Sequence, residues 1–248
     1  MRILLTNDDG IYAEGIYAAY KALSKIADVT VVAPDNEQSS VGHGITLFYP
    51  LFAKKICPEK HFEGHAVSGK PADCVKFGVS VLLKGKKPDL IISGINWGGN
   101  DGCSVFYSGT VAGAREGALM GIKSFAISLN CFDDPQFDEA SKFTAKLARW
   151  VHKNHLPVGT FFNVNVPVGK PKGTRFTRQG TDPIHEIFEK RKTPTARHYY
   201  WMSAKAPVYK NDNDVDTYAL NNNYITITPI HCDMTNEDFL STLALKKI

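Results

Sequence analysis

A chain of 248 residues, 43% hydrophobic and 22% charged, has enough apolar material for one large α/β core, alone or with an appendage. Its formal net charge of +4 is too mild to call for a nucleic-acid or membrane partner. Five scattered cysteines (Cys57, Cys74, Cys103, Cys131, Cys232) without a CxxC pair argue against a disulfide framework or a zinc–thiolate site and for a reducing cytoplasm. The N-terminus lacks a secretory pattern, and no apolar run approaches bilayer length.

The first ten residues organise the rest. Ile3-Leu4-Leu5 is a short, unalternated apolar run, as expected of a strand with both faces of its sheet covered. Thr6 and then Asn7-Asp8-Asp9-Gly10 follow at once, just past the carboxyl end where open α/β sheets place ligands. Adjacent carboxylates repel and are costly to bury, so a hard divalent cation is the natural counter-charge; a solvated turn is the competing reading, since Asn, Asp and Gly favour turns. Ile16, Ala19, Tyr20, Leu23 and Ile26 recur at helical spacing, and Val29–Ala33 is a second buried strand ended by Pro34. This β-α-β opening implies a parallel sheet with a right-handed crossover. The polar loop from Asp35 to Gly44 leaves the second strand at its carboxyl end, with Ser39 or Ser40 able to lend a hydroxyl and His43 as its histidine.

Residues 45–67 alternate loosely, as strand pieces do, and Ser68–Cys74 reads as a turn into a helix, with Pro71 in its first turn and Val75, Val79 and Leu82 along it. Pro88–Ser93 is a third buried strand, running into a loop with four glycines between Gly94 and Gly102 and including Asn96. Such a loop is expensive to order, which suggests backbone brought close to a ligand or held at positive φ. From Tyr107 the sequence reads as a helix start carrying Ser108, Gly109 and Thr110. Its unpaired N–H groups and positive dipole end suit an anion, although plain N-capping accounts for Ser and Thr there as well. No Walker A lysine and no GxGxxG fingerprint are present, which disfavours those nucleotide modes.

Phe125–Leu129 is a further strand, Phe143, Leu147 and Val151 mark a helix, and Phe161–Pro167 is another strand. Beyond about residue 170 the character changes: residues 170–197 hold eight Lys or Arg against three Asp or Glu. Tyr199, Tyr200 and Trp201 cluster, Asn211–Asp216 reads as an acidic turn, Tyr224–Thr228 is β-rich, and a helix is expected over 236–247. Hairpins with exposed aromatics rarely stand alone in water, so this part should pack on another subunit. A basic nucleic-acid face is the weaker reading of residues 170–197, for no known module is present.

Three strands of a parallel sheet deliver their loops to one edge. Asp8, Asp9, a hydroxyl from Ser39 or Ser40 and the amide oxygen of Asn96 would together form an all-oxygen shell for a hard cation. The helix at Ser108 adds N–H donors for a phosphate, and the combination suits phosphoryl transfer to water.

MRILLTNDDG, the VVAPD segment with its Gln-Ser-Ser and Gly-His, SGKPADCV, DLIISGIN, YSGTVAGAREG, FTRQG, the YYW cluster and ITPIH together resemble the SurE family of survival 5′-nucleotidases along nearly the whole chain. The resemblance implies a Rossmann-like three-layer α/β/α fold with a mostly parallel sheet, and a C-terminal β-hairpin and helix exchanged between subunits of a dimer or tetramer. The catalytic core would then be 1–170 and the oligomerisation extension 171–248, parts of one SurE-like domain. It implies Asp8, Asp9, Ser39 and Asn96 as ligands of Mg²⁺ or Mn²⁺, which chooses Ser39 over Ser40. Asp8 and Asp9 would be catalytic, Ser108, Gly109 and Thr110 would hold phosphate, and the reaction would be divalent-metal-dependent hydrolysis of nucleoside 5′-monophosphates in the cytoplasm. A non-catalytic metal- and nucleotide-binding regulator is the alternative. Against the family pattern, Lys70 replaces a Thr and should lie near the site mouth, Trp97 replaces a polar residue and is placed to stack on a base, and Gly99 replaces a Pro and should loosen its loop.

Overall fold

The computed structural model describes residues 1–183, 185–204 and 212–243. Strand β1 (Arg2–Thr6) lies inside a nine-stranded sheet in the order β3-β4-β2-β1-β5-β6-β7-β11-β8. Its neighbours are β2 (Asp28–Pro34) and β5 (Leu90–Trp97), both parallel to it. The parallel run continues through β4 (Phe62–Val67) on one side and through β6 (Ser124–Asn130) and β7 (Thr160–Pro167) on the other. β3 (Ala53–Glu59) and β11 (Ile225–His231) add antiparallel strands, and the three-residue β8 (Thr174–Phe176) closes the edge parallel to β11.

Helices cover both faces, which explains the unalternated strands. Ile3 and Leu5 enter the core beneath α1 (Glu14–Leu23) and α4 (Asp138–Lys153), while Leu4 enters the opposite core with residues of α2 (Pro71–Phe77). Helix α3 (Gly109–Leu119) lies beside α2 and buries Val111, Ala114 and Ala118. The three-layer arrangement and mostly parallel sheet agree with expectation.

Several local readings needed correction. Residues 45–52 form no strand, and the helix opened by Pro71 passes after Phe77 into a π-helical turn, Gly78–Leu82. β5 runs on to Trp97, so Gly94–Trp97 is strand and not loop; the ladder to β6 shifts register between Ser93 and Asn96, and Gly94 holds φ +134°. Within the acidic turn, Asp216 opens a short helix, α5 (Asp216–Asn221); Asn211 lies outside the described residues. β9 (Glu186–Lys192) and β10 (His198–Ala204) form an exposed antiparallel hairpin. The final helix α6 is described over Glu237–Leu243, with nothing on it buried; the rest of the expected 236–247 lies outside.

Candidate active site

Asn7, Asp8 and Asp9 follow directly from β1, at the same edge as the loops after β2 and β5. The turn is shaped locally: the Asn7 side-chain amide donates to the Gly10 carbonyl at 2.8 Å, and Gly10 takes φ +95°. The Gln38 N–H donates to the Asp8 carbonyl at 2.7 Å, tying the loop that carries Ser39 to the aspartate pair.

Asp8 is buried, and the Thr110 hydroxyl donates to its carboxylate. Burial pushes its carboxyl up, opposed chiefly by that hydroxyl. Asp9 is half-buried and accepts the Trp97 N–H at 3.2 Å; burial and the neighbouring charge of Asp8 push it up to about 7. The Ser39 hydroxyl donates to Glu37 at 2.6 Å, and the Asn96 amide NH₂ donates to the Gly98 carbonyl at 2.7 Å, which fixes which way its amide oxygen is presented.

Two cavities flank the pair. One, of about 660 Å³, is lined by Asp8, Ser39, Asn96, Trp97, Asn100, Tyr107, Ser108 and Phe132, and reaches Glu186 and Met202 of the hairpin. The other, of about 670 Å³, holds Asp9, Glu14, Glu37, Asp134 and Phe137 and shares Ser39 and Trp97 with the first. Asp8, Ser39 and Asn96 thus line the first cavity and Asp9 and Ser39 the second, with Ser39 and Trp97 on the wall between them. Among the described residues neither lining contains a lysine or arginine. Four oxygen donors, two of them carboxylates driven towards the neutral form, fit a hard divalent cation, which would supply the missing positive charge. Among the described residues no group of three or more His, Cys, Asp or Glu offers a rival metal centre.

Ser108 is the N-cap of α3, its hydroxyl oxygen accepting the Val111 N–H at 3.1 Å, so the capping explanation applies and its O–H remains able to donate. Gly109 must be glycine: a Cβ there would lie 2.8 Å from the Asp8 Cβ and 3.1 Å from the Gln38 carbonyl. Thr110, fully buried, has Asp8 as its hydroxyl partner.

His43 bonds Glu116 of α3 at 2.9 Å, and Lys76 bonds the same buried carboxylate at 2.6 Å, so His43 pins its loop to two helices and lines neither cavity. Lys70 also lines neither: its ammonium donates to the Ile45 carbonyl at 3.2 Å, away from the mouth where it was expected. Trp97 is 52% exposed on the shared wall, open to stacking. Around Gly99 the loop is pinned by residues that the sequence reading passed over. The Asn100 N–H donates to Asn165 at 2.7 Å, its side chain to Ser128 at 2.8 Å, and the Asn163 side chain to the Asn100 carbonyl at 2.6 Å. Two asparagines alternating with apolar residues in a buried strand were the signal available.

The profile of the family "Survival protein SurE" matches residues 3–186. A "5′-nucleotidase SurE" of Syntrophobacter fumaroxidans is 46% identical over 246 residues, covering 98% of both chains. One from Thermosipho melanesiensis is 47% identical over 248 residues, covering 98% of this chain and 96% of that one. The crystal structure of the SurE protein from Aquifex aeolicus superposes with a TM-score of 0.87 at 38% identity over 98% of each chain. On that span, identity and shared architecture, the chain belongs to the SurE family.

Proposed function

We propose that this chain is a 5′-nucleotidase that hydrolyses nucleoside 5′-monophosphates to nucleoside and phosphate, dependent on Mg²⁺ or Mn²⁺ held by Asp8, Asp9, Ser39 and Asn96. The observation that carries the metal dependence is electrostatic. Among the described residues, a phosphate entering the larger cavities meets Asp8, Asp9 and Glu37 and no lysine or arginine, so a cation is needed to offset the carboxylates. Similarity to 5′-nucleotidase SurE proteins supports a nucleotide as the substrate.

When bound, the cation would offset phosphoryl charge and acidify a water molecule. The chain's own residues do the rest. Thr110 holds Asp8 in place, and the aspartate pair accepts the proton of the attacking water. The Ser108 hydroxyl and the Gly109 N–H, at the α3 terminus with Thr110, hold phosphate oxygens. Trp97, Tyr107 and Phe132, all exposed on the cavity wall, stack on the base.

Residues 171–248 are proposed as the oligomerisation extension of a dimer or tetramer, acting through the β9–β10 hairpin and α6 with their exposed Tyr200, Trp201, Phe239 and Leu240, while β8 and β11 of the same span complete the central sheet. No helix among the described residues is long and apolar enough to cross a membrane, and the five cysteines are free, which supports a cytoplasmic setting. Phosphate release from AMP with Mn²⁺ and with EDTA tests the assignment. Metal-stimulated turnover is expected, and none under either condition would leave a binding protein.

A further inference from the structure

A third cavity, of about 380 Å³, opens between α4 and the sheet edge at β8 and shares no lining residue with the two at the aspartate pair. Its walls combine two chemistries. Phe143, Trp150 and Phe176 give an aromatic floor: the Trp150 and Phe176 rings lie 6.3 Å apart at 47°, and 44% and 64% of these residues stay exposed. Lys146, Arg149 and Lys153 line the same cavity, and among the described residues no carboxylate does. None of the three cations has an ion-pair partner among the described residues. Helical spacing explains the juxtaposition, since 146, 149, 150 and 153 fall on one face of α4.

An exposed tryptophan beside three uncompensated cations in a pocket of small-molecule size suits a ligand with a flat apolar ring and an anionic group. We propose that this cleft is an accessory site for a nucleoside phosphate, with the base against Trp150 and Phe176 and the phosphate among Lys146, Arg149 and Lys153. An acidic peptide would match the charge, but a volume of about 380 Å³ is that of a small-molecule site.

The test is calorimetric titration of the full chain with AMP in EDTA, where the aspartate pair without its cation repels phosphate. One AMP per chain should still bind. Trp150→Ala and the double variant Arg149→Glu/Lys153→Glu should each weaken that binding at least tenfold, with circular dichroism and Mn²⁺-dependent AMP hydrolysis unchanged. Adenosine and inorganic phosphate, titrated separately, should each bind at least tenfold more weakly than AMP. No AMP binding in EDTA overturns the proposal, whatever the hydrolysis assay gives. So does binding lost on Trp97→Ala but kept on Trp150→Ala, which would put the nucleotide in the cavity at the aspartate pair. A double variant that sediments as a smaller species while binding AMP normally would make the cleft an interface between copies, which also overturns it.

Discussion

The hydroxyl of Thr110, in the first turn of α3, donates to the carboxylate of Asp8, 102 residues earlier at the end of β1. The bond joins the two parts the chemistry needs, the carboxylate pair and the anion-holding helix terminus. Thr110→Val keeps the shape and removes the donor, leaving a buried carboxylate short of a partner. Mn²⁺ affinity, read by calorimetry, should fall about 10- to 100-fold, as for loss of an outer-shell partner. Unchanged affinity would sink the positioning role.

Asp9→Asn keeps size and the Trp97 contact while removing one of two charges. AMP hydrolysis should fall at least about 100-fold, the scale of a lost general base. Melting temperature in EDTA should hold or rise, because the Asp8–Asp9 repulsion is gone. Near-normal turnover would remove Asp9 from the site.

The same repulsion sets a pH dependence. The Asp9 carboxyl goes from 3.8 to about 7 on folding, through burial and the Asp8 charge. A carboxyl raised on folding favours the fold while it keeps its proton. That contribution is whole below about pH 4, declines as pH rises, and is gone above about pH 7. Metal-free protein should therefore melt lower at pH 8 than at pH 5. Mn²⁺ at a fixed concentration should stabilise more at pH 8, where it displaces no proton; a hundredfold excess over the Kd at that pH stabilises by about 2.7 kcal/mol in all. Thermal melts at both pH values with and without Mn²⁺ check the sign.

Much of this site could be read before any coordinates. Ile3–Leu5 announces a doubly covered central strand, and a carboxylate pair straight after such a strand has few uses. The sequence offers Asn96 as a candidate ligand in a loop, because four glycines hide that β5 runs on to Trp97. The Asn100–Asn165 and Asp216–Gly180 bonds join elements far apart in sequence, so no local pattern betrays them. Asp216 looked like turn chemistry because its helix-opening role depends on backbone from elsewhere. Lys70 misled in the opposite direction: a polar residue near a site by sequence fastens a loop instead, as His43 does.

Exposed apolar side chains at the end of the chain give a test of assembly. Phe239 and Leu240 on α6 are 59% and 49% exposed, and Trp201 and Met202 on β10 are 58% and 66% exposed. Surfaces of that kind favour burial against another subunit. Deleting residues 231–248 should move sedimentation to a smaller species, and an unchanged oligomer would refute the exchanged-tail reading.

Asp216 fastens the far end of the loop that follows Trp97. Its carboxylate is fully buried and accepts N–H groups from Gly102 at 3.1 Å, Gly180 at 2.8 Å and Thr217 at 2.7 Å, while Gln179 donates to the Gly102 carbonyl at 3.0 Å. The FTRQG segment is thus strapped to the stretch between Asn96 and Ser108. Asp216→Asn turns an NH₂ towards donors that need an acceptor, a mismatch of about 1–3 kcal/mol for each buried group left unpaired. Stability in urea should fall by that order. The kcat/KM for AMP should fall about tenfold under conditions where the variant stays folded, because Asn96 and Ser108 lose their fixed separation. Stability lost without any change in kcat/KM would make Asp216 a strut of the C-terminal segment and not a positioning residue for the site.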